Sequence, residues 1–172
     1  AIKLAEESDV AIVCLGLDAS YEGEEGDANN PYCAGDRKTI EIIEAQLELL
    51  KAVKEVNDKV ILLMFCGGAV AFGEAKDLSN AILNCWYPGE MGGKAIAQLL
   101  FGEYSPSGKL PVTIYSSTKD LPDFNDYSMK NRTYRYFNGT PEFPFGFGLS
   151  YTRFKYGELQ IEKLDDDVKI SI

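Results

Sequence analysis

The sequence contains no histidine. That absence removes every nucleophilic triad that uses imidazole as its base, and the usual Cys/His zinc signatures with it. Cysteine is sparse: Cys14, Cys33, Cys66 and Cys85 stand far apart, with no Cys-x-x-Cys pair. Cys14 and Cys85 fall inside apolar runs, where a cysteine is expected to be a small buried hydrophobe. Cys66, just before Gly67-Gly68, is placed like a nucleophile but has no base in evidence, so a structural role is expected there too. Basic residues are outnumbered, 17 Lys and Arg against 27 Asp and Glu, for a net charge of −10. They form no cluster, and phosphate backbones or anionic bilayers need a basic patch. Neither a nucleic acid nor a membrane is therefore an expected partner. The longest apolar run, Val60–Phe65, is far too short to cross a bilayer.

What is present is ordinary globular material. A chain of 172 residues, 45% hydrophobic and 26% charged, can bury one good core and the start of a second unit. Three apolar runs, Val10–Leu15, Val60–Phe65 and Ala81–Tyr87, are nearly continuous rather than alternating, as in parallel strands covered on both faces. Between the first two, Ile40, Ile43, Leu47, Leu50 and Val53 recur at helical spacing. They predict a helix over Thr39–Val56, with Thr39 as its cap, since Asp36 and Thr39 precede a run of good helix formers. A second helix is predicted over Gly92–Phe101, and a short one within residues 68–78. The strand–helix–strand–helix order predicts an α/β fold, an open, mostly parallel sheet with helices on both faces. From Gly102 onward the texture changes to Gly, Pro and aromatics, the composition of irregular segments that cover a neighbouring surface or line a site. The tail alternates through Leu159-Gln160-Ile161 and Val168–Ile172, with Asp165–Asp167 as a turn, and reads as a short β hairpin. No secretory signal opens the sequence, and Ala1–Ala5 reads as the middle of a helix. A piece of a longer protein is expected, and nothing about location follows.

One stretch stands out, GLDASYEGEEGDANNPYCAGDRK at residues 16–38. It leaves the first strand carrying Asp18, Glu22, Glu24, Glu25 and Asp27, with no base before Arg37. Ligands of open α/β sheets bind beyond the carboxyl ends of the strands, which is where this segment begins. A phosphate-binding loop would need G-x-G-x-x-G, which Gly16, Gly23 and Gly26 do not form, and the carboxylates would repel phosphate. Carboxylates along a loop suit calcium, yet the spacing is not that of an EF-hand and no helix precedes it. A carboxyl group crowded by other carboxylates holds its proton to higher pH, as a general acid acting near neutrality requires. A merely solvated acidic loop is the plain alternative.

Several motifs together carry a resemblance. EGEEGD, AGDRKTI, CWYPGEMGGKAIAQLLFGEYSPSGKLPVTI, YRYF and PFGFGLSYTRF resemble the second domain of glycoside hydrolase family 3, the β-glucosidases and β-xylosidases. The similarity runs over nearly all of residues 1–156, and DYSMKNRTYRYF looks closest to the β-xylosidase-like members. The resemblance implies an α/β sandwich domain over 1–155, lacking its amino-terminal part, and the start of a fibronectin type III-like β domain over 156–172. It implies a retaining, exo-acting enzyme on terminal β-linked sugars, in which a (β/α)8-like barrel supplies an aspartate nucleophile and this domain supplies the acid/base. Gly23-Glu24 fits the family's acid/base position, with Glu22 and Glu25 flanking it. Asp36-Arg37 matches an Asp-Arg pair that supports the loop or touches substrate. Trp86 and Tyr87 would floor a sugar site or pack the strand end. Tyr134–Phe137 and Phe143–Tyr151 would pack against the barrel, with Gly146 and Gly148 allowing a tight turn. No barrel and no nucleophile motif is present, so this chain alone is expected to be inactive. The expected partners are an oligosaccharide or β-glycoside substrate and the barrel domain; neither a cofactor nor a metal is expected. The rival reading is a non-catalytic α/β module that binds carbohydrate or calcium.

Overall fold

A computed structural model of the chain describes residues 1–18, 21 and 37–172. The elements run α1 (Ile2–Glu6), β1 (Ala11–Gly16), α2 (Glu44–Val56), β2 (Val60–Phe65), α3 (Ala75–Leu78), β3 (Ala81–Asn84), α4 (Gly92–Leu100), α5 (Thr133–Tyr136), β4 (Gln160–Lys163) and β5 (Val168–Ser171). The first three strands form one parallel sheet in the order β1-β2-β3. This is the open α/β layer structure that the apolar runs predict. β4 and β5 pair antiparallel as a hairpin, closed by the Leu164 N–H donating to the Asp167 carbonyl at 2.9 Å.

Register decides which side chains share a face. Ala11, Val13 and Leu15 of β1 stand beside Val60, Leu62 and Met64 of β2. All six are buried in one core with Leu50 and Val53 of α2. The next residue along, in each case, faces the other way. On that face Ile12 is 49% exposed and Cys14 is exposed as well. The expectation of a buried Cys14 is therefore corrected: the run is apolar throughout, but among the described residues only one face of β1 is well covered. Cys66 is buried, and Cys85 is half-buried.

Element ends differ from expectation where side chains claim the backbone. The predicted helix from Thr39 starts only at Glu44, because residues 40–41 bond elsewhere. The Ile40 carbonyl accepts from the Ala71 N–H at 2.8 Å, and Glu41 bridges Ala71 in parallel. Thr39 is thus no cap; Ile43 holds the N-cap position, with no side-chain cap bond. The predicted 68–78 helix shrinks to Ala75–Leu78, because Gly73 has φ +50° and the Phe72 and Gly73 N–H groups donate to the Glu142 carboxylate at 2.6 and 2.9 Å. β3 stops at Asn84 instead of continuing to Tyr87, since Trp86 turns the chain with φ 52°. α2 ends at Asn57, whose buried amide donates to the Ala5 and Ser8 carbonyls at 2.8 Å while its oxygen accepts from the Lys59 N–H. That one side chain ties α1 to the α2–β2 turn.

The aromatic-rich segment returns to this core. Residues 110–114 pair with 142–147 through Leu110 with Gly146 and Phe147, and Ile114 with Glu142 and Phe143. Ile114 is 1% exposed and belongs to the sheet's core, with Leu110, Val112 and Phe143 against it. Phe143 meets Phe72 edge-on at 5.8 Å, so it is used within this domain. Gly146, with φ +79°, makes the turn expected of it. Thr118 completes the tie: its hydroxyl donates to Glu41 at 2.6 Å and accepts from the Ile40 N–H at 3.0 Å, and its own N–H donates to Glu41 at 2.8 Å.

Two measurements check this arrangement. Burial pushes the half-buried Cys85 thiol up to about 11, with Cys14 and Cys66 adding smaller upward effects. Against the ordinary value of 9.0, that costs roughly a hundredfold in thiolate near pH 8. A brief maleimide pulse read by peptide mapping should label Cys14 and spare Cys66 and Cys85; equal labelling of Cys14 and Cys66 would contradict the open face. For Glu41, burial raises the carboxyl and the Thr118 bonds outweigh it, leaving it below the ordinary glutamate value. A depressed carboxyl stabilises above its unfolded value and loses that contribution as pH falls through its folded value. Thr118→Val should therefore cost about 1 kcal/mol at pH 7, with the difference narrowing at acid pH. Urea titrations at neutral pH and near pH 3 measure it.

Candidate active site

The acidic stretch leaves the carboxyl end of β1 at a glycine that nothing else can replace. An added Cβ on Gly16 would sit 2.1 Å from the Phe65 carbonyl oxygen. On its other side the Gln46 side-chain amide mimics a neighbouring strand, donating to the Gly16 carbonyl at 2.7 Å and accepting its N–H at 3.1 Å. Leu17 follows, buried, with its N–H donating to the Phe65 carbonyl at 2.8 Å. Asp18 is exposed, and its carbonyl accepts from the Tyr21 N–H at 3.0 Å while the Tyr21 ring packs against the core. Leu17, Asp18 and Tyr21 thus anchor the root of the stretch.

Glu22, Glu24, Glu25 and Asp27 lie outside the described residues, as does Asp36. Arg37 is described. Its guanidinium donates to the Ala69 carbonyl at 3.0 Å, tying the returning chain to the turn after β2. The Thr118–Ile40–Glu41 cluster then fixes the next residues.

The ends of β2 and β3 complete the surroundings. Trp86 is half-buried and holds a left-handed backbone, a conformation that bulky residues rarely adopt and that clusters at functional sites. Tyr87, 58% exposed, lies against Gly67, and its hydroxyl donates to the Leu17 carbonyl at 3.3 Å. The chains leaving all three strands therefore converge on the root and return of the acidic stretch. Among the described residues, no group of three or more His, Cys, Asp or Glu side chains is placed to hold a metal ion.

Sequence reasoning missed several of these anchors. Gln46 reads as a polar helix position, and only the bare edge beside Gly16 explains its amide. Tyr87 reads as an aromatic, and its hydroxyl bond to Leu17 depends on the turn at Trp86. Glu142 sits next to the PFGFG motif with no local sign that it caps a backbone 70 residues away. Elsewhere a cleft of about 270 Å³ opens between Thr113, Tyr134, Phe137, Pro141, Pro144 and Phe145. Tyr134 and Phe145 stack there at 4.4 Å, and the lining includes none of the anchors named above.

Comparison with known proteins now gives this geometry a family. Residues 1–151 match the glycosyl hydrolase family 3 C-terminal domain. A xylan 1,4-beta-xylosidase of Xylanibacter ruminicola is 47% identical over 156 residues, which cover 90% of this chain and 18% of that protein. The solved beta-D-glucoside glucohydrolase from Trichoderma reesei superposes with a TM-score of 0.80 at 30% identity, over 93% of this chain and 24% of that one. A family 3 exo-beta-xylosidase in complex with a xylobiose aziridine activity-based probe gives a TM-score of 0.73 at 29% identity, over 88% of this chain and 20% of that one. The chain thus spans about a fifth of the length of these relatives. With the family match, the superposed fold and the sequence motifs all in agreement, the chain belongs to the glycosyl hydrolase family 3 C-terminal domain family.

Proposed function

We propose that this chain is the acid/base domain of a retaining, exo-acting β-glycosidase that removes terminal β-linked xylosyl or glucosyl residues. The observation that carries the reading is membership of the family over residues 1–151, with the acidic stretch leaving the carboxyl end of β1 inside that match. Glu24 is the acid/base, with Glu22 and Glu25 beside it in sequence. In the first step Glu24 gives that proton to the glycosidic oxygen while an aspartate of a partner barrel domain attacks the anomeric carbon. In the second step Glu24 takes a proton from a water whose oxygen bonds to the anomeric carbon, breaking that carbon's bond to the aspartate and releasing the sugar. Retention by this route places the two carboxyl groups about 5–5.5 Å apart. Arg37 holds the returning chain, with Asp36 beside it in sequence.

The barrel docks on the aromatic surface in this reading. Tyr134, Phe145, Leu149 and Tyr151 are between 45% and 76% exposed, and exposed large apolar side chains of this kind are what a docking surface uses. Residues 1–155 form the sandwich domain and 156–172 begin a fibronectin type III-like β domain, a reading that the exposed β4–β5 hairpin supports. No cofactor and no metal take part in this mechanism.

The purified chain alone should not hydrolyse aryl β-xylosides or β-glucosides above a buffer control; turnover would refute the division of labour. In the full-length enzyme, Glu24→Ala should lower kcat/KM for an aryl glycoside with a poor leaving group by ~10²–10⁴-fold. Only that substrate needs a proton on its leaving oxygen, so an activated aryl glycoside should be far less affected in kcat/KM. Azide, which needs no general base, should restore turnover of the activated substrate as a glycosyl azide. Glu22→Ala and Glu25→Ala are the controls. If either shows the leaving-group dependence and azide rescue instead, the acid/base is that residue; if none does, the stretch is a solvated surface.

A further inference from the structure

Tyr87 combines three features that a packing aromatic does not need. It is more than half exposed, its hydroxyl is committed to a backbone carbonyl 70 residues earlier, and its neighbour Trp86 holds a left-handed backbone. An exposed ring gains little from burial, so the strained turn at Trp86 is not explained by packing of Tyr87. What the turn accomplishes is to send the chain back across the strand ends, so that the Tyr87 hydroxyl reaches the Leu17 carbonyl at 3.3 Å. Gly67 makes room for it. A Cβ there would stand 2.6 Å from Cε2 of the ring, so any other residue would push the ring aside.

Leu17 is buried at the root of the acidic stretch, and the Asp18 carbonyl directly after it accepts from the Tyr21 N–H. The Leu17 N–H donates to the Phe65 carbonyl and the Leu17 carbonyl accepts from the Tyr87 hydroxyl, so the peptide groups on both sides of the Leu17 Cα are bonded. Leu17 is thereby fixed through two successive peptide planes, which sets the direction of the backbone where the acidic stretch begins.

Resting on the acid/base reading above, we propose that Tyr87, seated against Gly67, is a positioning residue for the acid/base segment through its hydrogen bond to Leu17. It acts through the backbone and touches neither substrate nor nucleophile. Its effect should appear where a misdirected proton donor matters, and not in the fold as a whole.

The test uses the full-length enzyme and kcat/KM for two aryl glycosides, one with a poor and one with a good leaving group. Tyr87→Phe should lower the value for the poor leaving group roughly three- to tenfold, the worth of one hydrogen bond, and leave the good one within about twofold. Gly67→Ala, which displaces the ring, should act in the same direction. The double variant should be no worse than the poorer single variant, because both lose the same contact. Glu24→Ala is run alongside. If Glu24→Ala shows leaving-group dependence while Tyr87→Phe matches the parent enzyme on both substrates, the positioning role is overturned and the acid/base reading stands. If Tyr87→Phe lowers both values equally with a lowered Tm, its role is structural and the proposal is again overturned. If Glu24→Ala shows no such dependence, the acid/base reading fails, and the proposal falls with it.

Discussion

Val60, Leu62 and Met64 are almost entirely cut off from water, and both neighbouring strands take their register from the strand that carries them. In such surroundings a backbone hydrogen bond cannot be exchanged for one to solvent, and a one-residue slip would turn every buried side chain outward. β2 is therefore the fixed reference of the domain. Because β1 and β3 are parallel to it, their carboxyl ends lie at one edge of the sheet. The three chains that leave that edge start from positions that cannot drift independently. The chemistry proposed here depends on that constraint before it depends on any carboxylate.

On this rigid edge the loops are held by side chains that bond to backbone. Gln46 grips Gly16, Arg37 grips Ala69, Thr118 grips Ile40, and Glu142 grips Phe72 and Gly73. None of these is a core contact, and each is modest in energy. Their value is geometric. A peptide group has fixed planarity and fixed donor and acceptor directions, so one side chain bonded to it sets an orientation as well as a distance. Loops that bear function are commonly presented this way, by a scaffold that is stiff and ties that are individually weak.

The parts of this fold that were legible from sequence are those governed by burial. β2 begins and ends where its apolar run does, and α4 spans nearly the predicted residues, since an apolar run or stripe leaves the chain few alternatives. The parts that were not legible are those in which a polar group from elsewhere took over a backbone. The 39–43 segment has the apolar spacing of a helix, yet Ala71 and Thr118 satisfy its backbone first. Cys14 looks as buried as Val13 because hydropathy reports how apolar a strand is and not which face is covered. At the candidate site the root at Gly16 and the return at Arg37 were visible as the flanks of an acidic run. The Gln46 and Tyr87 anchors were not, because each pairs residues separated by tens of positions and neither leaves a periodic trace. The family resemblance compensated in part, since it reads motifs as wholes.

Ile114 and Glu142 have a consequence for how the domain is made. A polypeptide is synthesised from its amino end, and domains begin to organise as they emerge. Until residues 101–142 have followed the sheet out, the place in the core that Ile114 fills is unoccupied and the Phe72 and Gly73 N–H groups lack their carboxylate. Those gaps close only after the Gly-, Pro- and aromatic-rich stretch has been made and has folded back. The nascent chain therefore passes through a stage at which its apolar centre is open on the side that this stretch will cover. A chain halted within that stretch would hold an unfinished core.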